Sequence, residues 1–600
     1  MASFLKTSSS SSSSSLPFGI DLSQVTPLHA LFAALAVVAA MAIIAPDRYI
    51  FSSHRDGIPE LPEVWPILGN LKFLLDVKSK RITLLNAALK YQRQVGKGGM
   101  PWGATFPALG GRITMINRPE YIRWVQKTNF ENYIKGADFS RAMGDVMSTH
   151  GIFVADGEIW KKQRKMASHI FSVGNFRTHV QSTIQRDLAT LNSLARDASS
   201  KNTQVNLPDL FFRFTLSSFS LMAFSAEIGC LPPAVEELSK AVKFADDFDY
   251  AQRVMDERFT DPFSTFTEPF SAQGRKMRKT IKDLHSFCYK IIDLRMEANS
   301  RGDAQGASGK GGKDLLALFM EQNLSREDLL PVVLNFLIAG RDTTAQALSW
   351  LFWEFYKKPE CVERCRQEIH EKLGSGAGYR HMTYDDLGTL VYTQACLYEA
   401  LRLHPSVPKN LKKAVKDDVI RPYAQPLDGS EKAPNAIESA KLPDLVIKAG
   451  ESVLWSDYAM GRMPEVWGPD RPLEQALPSR PDSTLTDTFA SISSIRLPRG
   501  TRTDCEEFKP ERFIENNDDG SQSIKTYSQY LFHAFNAGPR LCLGQTLATY
   551  EGCAVVAELV GNFNVKFDEQ AMRNDPPTFD DSLTLPVRNQ YKVRFEARDD

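Results

Sequence analysis

One stretch near the C-terminal end constrains this chain more than any other: Phe535-Asn536-Ala537-Gly538-Pro539-Arg540-Leu541-Cys542-Leu543-Gly544, after which helical periodicity resumes. The order sets a single thiol at the mouth of a helix. Free backbone N–H groups and the positive end of the helix dipole favour a thiolate there. Gly538 and Gly544 permit a close backbone approach that side chains would block. Arg540 adds a cation two residues from the sulfur. A flat anionic cofactor with a central metal suits such a loop, with haem as the candidate and Cys542 as its axial metal ligand.

The pattern F-x-x-G-x-R-x-C-x-G, matched at every position, resembles the haem-binding signature of the cytochrome P-450 family. The resemblance implies haem b on Cys542, with Phe535, Gly538, Arg540 and Gly544 around it, and further motifs upstream. Leu329 to Gly340 is apolar almost all round, as a helix buried on all sides is. It runs into Ala339-Gly340-Arg341-Asp342-Thr343-Thr344, which is similar to the family's oxygen-activation motif. By that likeness the small pair Ala339-Gly340 lets the helix pass close to the haem. Thr343 hydrogen-bonds the activated oxygen, and Asp342 relays protons through water; these two are the candidate catalytic residues. In Glu399-Ala400-Leu401-Arg402 the two charged residues share a helix face. The family joins such an E-x-x-R to an arginine from a later loop, here Arg512 of Phe508-Lys509-Pro510-Glu511-Arg512-Phe513, as structural support for the haem. Trp160 and Arg164 stand at i, i+4 in Trp160-Lys161-Lys162-Gln163-Arg164. The resemblance sets them on the haem propionates, with Arg540 opposite. Lys161, Lys162 and Lys165 leave a basic patch that reads either as a solvated face or as a dock for an acidic reductase.

The fold class expected is mainly α with small β-sheets: the cytochrome P-450 fold, with haem between the long central helix and the cysteine loop. The likeness covers roughly Ile58 to Phe595. Short strand-like pieces fall at Ile113 to Ile116, Leu445 to Lys448 and Ser452 to Trp455. With no internal repeat, residues 71–600 read as one catalytic domain. A Ser-rich tail (1–27), an apolar run (28–45) and a proline-rich hinge (46–70) with Pro59, Pro62 and Pro66 precede it. Leu28 to Ala45 is interrupted only by His29 and would rise about 27 Å as a helix, at the short end for a bilayer. The reading is a single-pass anchor, preferred over a cleaved signal peptide because no small-residue cleavage site follows. Arg48, His54 and Arg55 follow the run and Lys6 alone precedes it, which sets the body on the cytoplasmic side of the endoplasmic reticulum membrane. Ser300 to Lys313, Arg421 to Lys441 and Arg471 to Asp504 depart from the family pattern and read as surface loops. Gly309-Lys310 lacks the spacing of a phosphate-binding loop.

A formal net charge of zero gives no global field toward nucleic acid. Eight cysteines in 600 residues, without paired spacing, suit a reducing compartment. Cys361, Cys365 and His370 are too few for a zinc site, and Cys553 reads as core. The resemblance implies insertion of one atom of O2 into an unactivated C–H bond. Only 58 residues follow Cys542, so electrons from NADPH are expected through a separate flavoprotein reductase. Leu401 to Pro408, Ala459 to Gly468, and Gly151 to Gly157 are worded like the fatty-acid omega-hydroxylase branch of plants and fungi, which implies terminal hydroxylation of a long-chain fatty acid. Subterminal or alkane hydroxylation, a step in making an extracellular lipid, a reductase-independent haem isomerase and a haem sensor are the alternatives. By the same analogy the pocket is lined near Phe139 to Phe153, Phe244 to Phe259, Ala339, Val407 to Asn410 and Leu583 to Leu585. Arg141, Arg253 and Lys409 are the candidates to hold a carboxylate.

Overall fold

The computed structural model describes residues 26–44, 55–65, 68–79, 82–107, 111–168, 180–261, 263–300, 314–322, 324–423, 442–468 and 504–598. The Ser-rich tail to residue 25, residues 46–54 of the hinge together with Pro66, and nearly all of the three departures from the family pattern lie outside the described residues.

A 32-residue helix, Arg326–Lys357, runs through the middle of the molecule. Ser325 caps it, its hydroxyl accepting from the Asp328 N–H at 3.1 Å, and Glu327 and Asp328 lie in the first turn, where the helix dipole favours acids. Nearly every residue from Leu329 to Phe355 is buried, as the unbroken apolar character requires. Its main partner is Leu207–Phe224, which is almost entirely buried too. Gly340 makes that contact possible: a Cβ there would lie 2.0 Å from the Phe219 ring.

Around this pair pack Gln181–Ser200, Ala272–Ser300, Val391–Leu403 and Gln545–Asn562. The helix Lys243–Thr260 lies over the central helix as a roof. The largest sheet has five strands in the order Trp102–Phe106, Gly111–Met115, Ser452–Trp455, Asn410–Ala414, Tyr133–Ile134. Gly111–Met115 pairs parallel to Ser452–Trp455, with Ile113 opposite Ser452; the other pairings are antiparallel. The expected strands therefore form, as short pieces on a mainly helical body. Cys361, Cys365 and Cys553 are core residues, and the His370 ring bonds the Gly561 carbonyl oxygen at 2.8 Å.

One expectation is corrected. The apolar run does form a helix, Pro27–Ile44, but among the described residues no helix is long and apolar enough to cross a membrane. Its 18 residues rise about 27 Å against a hydrocarbon core of about 30 Å. Leu28, Leu31, Phe32, Leu35, Val37 and Val38 are all exposed on it.

Candidate active site

A cavity of about 470 Å³ lies between the central helix and the cysteine loop. Cys542, Phe535, Gly544 and Leu543 line one side; Ala339, Gly340, Thr343 and Thr344 line the other. Cys542 is the one exposed cysteine of the eight, and that exposure is to the cavity. The 3-10 turn Gly538–Arg540 precedes it and the helix Gln545–Asn562 starts three residues after it. The Cys542 N–H donates to the Phe535 carbonyl at 2.8 Å. Burial pushes the thiol pKa up, and the Gly544 N–H and the Arg164 charge oppose that shift. The helix mouth therefore offsets the cost of a thiolate without removing it, and a bound metal supplies the rest.

Gly538 has φ +62° and a Cβ there would lie 2.1 Å from the Gln126 carbonyl oxygen, so the close approach its position demands is to the protein backbone. Gly544 has an ordinary φ of −89°; its N–H, beside the sulfur, is what the site uses. Gln126 also donates to Asn536 Oδ1 at 2.6 Å, and its Oε1 accepts from the His533 ring at 2.8 Å. The loop is thus shaped by protein contacts on its outer side.

Cations gather at one edge of the cavity: Lys135, Arg164, Lys412 and Arg540 all line it. Arg540 donates to Asp156 at 2.8 Å and to the Ala155 carbonyl at 3.0 Å, and its guanidinium stands 4.4 Å over the Trp160 ring. Arg164 donates to the Leu541 carbonyl. Burial lowers the pKa of Arg540 to about 10, with Asp156 opposing and Arg164 adding to the shift. Burial, reinforced by Arg540, lowers Lys412 to about 7 and lowers Lys135 as well. Arg540 Nε and Lys412 Nζ are buried with no hydrogen-bond partner. Four cations at one edge of a cavity that also holds a free thiol, Lys412 among them with no acceptor, fit a flat dianionic metal porphyrin whose carboxylates they would hold and whose metal Cys542 would bind. Lys135 and Lys412 were missed from the sequence. Nothing in a lysine of the Lys412-Lys413 pair, or in one between Ile134 and Gly136, marks it as buried.

Glu399, Arg402 and Arg512 come together behind the loop. Arg402 meets Glu399 through two contacts of 2.7 Å, with both side chains fully buried, and Arg512 approaches Glu399 at 3.4 Å. Arg402 also donates to the carbonyls of Gly461, Cys505 and Glu507. Lys161 is paired with Glu158 and Glu131, which reduces the basic character of the patch formed with Lys162 and Lys165.

Thr343 lines the cavity, its hydroxyl donating to the Ala339 carbonyl at 2.8 Å. Asp342 does not line it, contrary to expectation. Its carboxylate turns toward the roof helix, where it accepts from Arg341 at 2.7 Å and from Gln252. Arg341 also meets Asp249 at 2.8 Å. Burial raises the Asp342 pKa above the usual carboxylate range, with the Arg341 charge opposing. Gln252 does line the cavity, and Thr584 donates to it at 2.8 Å. Asp342 reaches the cavity through this amide. Glu551 lines the cavity beside Thr344 and Ser218, its pKa raised to about 8 by burial. No motif reading found Gln252 or Glu551, since both act through partners distant in sequence.

Much of the rest of the wall is apolar: Phe139, Met143, Phe153, Phe248, Phe259 and Leu583 among others, from the segments expected. Of the three carboxylate candidates, only Lys409 lines the cavity. Arg141 is engaged with the Arg258 carbonyl at 2.8 Å and Arg253 is exposed on the outer face of the roof helix.

The family model described as "Cytochrome P450" matches residues 59–428 and 503–593, so the stretch 429–502 falls between the matched segments. The chain is 36% identical over 555 residues to "Cytochrome P450 monooxygenase cyp1" of Mycosarcoma maydis, covering 90% of this chain and 75% of that protein. It is 27% identical over 555 residues to "Cytochrome P450 94A1" of Vicia sativa, covering 91% and 92%. It is 28% identical over 582 residues to "Cytochrome P450 86B1" of Arabidopsis thaliana, covering 93% and 89%.

Proposed function

Because the chain belongs to the cytochrome P-450 family and is a monooxygenase, we propose that it hydroxylates a long-chain fatty-acyl substrate at its terminal carbon, with electrons from NADPH through a separate flavoprotein reductase. The observation that carries this reading is the cavity, which is walled largely by aromatic and aliphatic side chains and has Cys542 and Thr343 in its lining. The motif wording that resembles the omega-hydroxylase branch adds support.

Haem with a cysteine thiolate ligand supplies the activation of O2 and the insertion of one oxygen atom, the other leaving as water. Cys542 would hold the metal, while Arg164, Arg540, Lys135 and Lys412 would hold the carboxylates. The chain's own residues then do three things. The apolar wall takes an alkyl chain out of water and excludes solvent from the reacting end. Ala339 presents only a methyl group to the cavity. Thr343 holds a hydroxyl at the cavity face, and the Asp342 carboxylate holds the Gln252 amide, which lines the cavity.

We also read the membrane as the source of the substrate. Phe263, Phe266 and Phe270 are 59%, 74% and 85% exposed, and Trp65, Leu68 and Leu75 are exposed as well. The Lys78–Asp261 ion pair of 2.7 Å ties the two segments that carry them, and Phe73 and Leu74, between them, line the cavity. Exposed apolar side chains on two segments tied together in this way suit a bilayer surface. The exposed apolar helix Pro27–Ile44 adds to the same attachment.

The deciding experiment feeds palmitate and oleate to the membrane-bound enzyme with reductase and NADPH and locates the hydroxyl by mass spectrometry. Terminal hydroxylation is expected. In-chain product moves the enzyme to the subterminal class, and absence of product from a folded haem protein that accepts electrons overturns the reading.

A further inference from the structure

The charges along the cavity wall do not leave a cation for a substrate carboxylate. Five cations line it among the described residues: Lys135, Arg164, Lys412, Arg540 and Lys409. The first four form the edge that fits the porphyrin carboxylates. Lys409 stands apart, three residues or about 10 Å of extended chain before Lys412, and it is already engaged. Its ammonium lies 2.7 Å from Asp256 of the roof helix and donates to the Ser582 carbonyl at 3.2 Å. Next to Ser582 is a second acid, Asp581, whose carboxylate accepts from the Leu84 N–H at 2.8 Å. Lys409 and Asp256 both act on Asp581 electrostatically. Lys409 and Asp256 thus make one polar corner of the cavity wall, with Asp581 behind them outside the lining, so that two carboxylates act on one ammonium.

Asp256 is 4% exposed and the Lys409 side chain 14%, so neither charge is screened by bulk water. A third carboxylate brought to this corner would face a net negative charge in a poorly hydrated place. A neutral group with O–H donors would instead find carboxylate oxygens to accept from it.

We infer that the polar corner Lys409–Asp256–Asp581 selects an acyl chain whose carboxyl end is esterified to a hydroxyl-bearing neutral head, such as a polyol, over the free fatty acid. The inference rests on the lipid reading given above and refines it from the chain to its head. The Lys409–Asp256 pair acts by compensating the one cation that could otherwise attract a free acid; it is a specificity device and takes no part in the chemistry.

The test is equilibrium binding to the haem-loaded enzyme in detergent at pH 7.5, with 1-palmitoylglycerol and palmitate as probes. The glyceryl ester is expected to bind about tenfold or more tighter than the acid, the size of one unbalanced partly buried charge. Asp256→Asn frees Lys409, so palmitate affinity should rise by about tenfold while that of the ester changes little. The double variant D256N/K409M removes both charges and should abolish the gain for palmitate. The wild-type ratio needs no variant, so a misfolded variant does not rescue the inference. Palmitate binding as tightly as the ester, or an unchanged ratio in folded Asp256→Asn, overturns the head-group assignment and leaves the lipid reading standing. Binding of neither probe overturns both.

Discussion

A buried ammonium without an acceptor is costly, and Lys412 is such a group. Its pKa falls from the usual lysine range to about 7. The unfolded chain therefore binds more protons than the folded apoprotein between about pH 7 and 10.4, and stability must rise with pH across that window. Raising the pH from 7 to 9 should stabilise the apoprotein by about 2 kcal/mol in urea titrations. Lys412→Met should remove most of that dependence. A bound dianionic cofactor keeps the lysine charged, so the haem-loaded protein should show a much weaker slope. At Thr343 the expected effect is on coupling. Thr343→Ala keeps the cavity and the thiol but loses the hydroxyl, so NADPH consumption should continue while product per NADPH falls by about 10²-fold. Equal coupling in the variant would remove Thr343 from the chemistry.

Among the elements, the helix Val391–Leu403 depends on one ion pair more than on its propensities. Glu399 is fully buried against Arg402, with Arg512 and the Lys509 N–H on the same carboxylate. Glu399→Gln keeps the shape and leaves Arg402 as an uncompensated buried charge, at a cost of about 3–5 kcal/mol. Purified variant should unfold at lower urea and carry substoichiometric haem. This motif was legible from spacing because both partners lie on one helix turn, and the strand Ser452–Trp455 was legible because β-branched and aromatic residues are bounded by turns. The apolar run at residues 28–45 does form a helix, Pro27–Ile44, though among the described residues no helix is long and apolar enough to cross a membrane. For the segment carrying Phe263, Phe266 and Phe270, replacing all three by serine in a chain lacking residues 1–54 should weaken liposome binding in flotation by about 10²-fold or more, since each ring withdraws from the bilayer.

For the whole molecule, the two sides of the cavity come from segments about 200 residues apart in sequence: Ala339 to Thr344 and Phe535 to Gly544. Sequence reading found both because each is a local motif whose backbone geometry imposes its residue types. It missed Lys135, Lys412, Gln252 and Glu551, whose meaning arises only when four separate elements meet. It also chose three carboxylate holders of which two lie outside the cavity, since a cation in a lining segment carries no mark of its side-chain direction. Electron supply is likewise a property of the assembly. Turnover with NADPH is expected only when a flavoprotein reductase is added, and turnover by the chain alone would refute a separate donor.

The contacts of Gln126 with Gly538, Asn536 and His533 have a bearing on how the holoprotein comes into being. They hold the cysteine loop from its outer side. The conformational freedom of that loop is therefore given up as the polypeptide folds, and haem capture loses little further entropy. Maturation would then run in a fixed sequence, polypeptide first and porphyrin second, with the mould finished before its casting arrives.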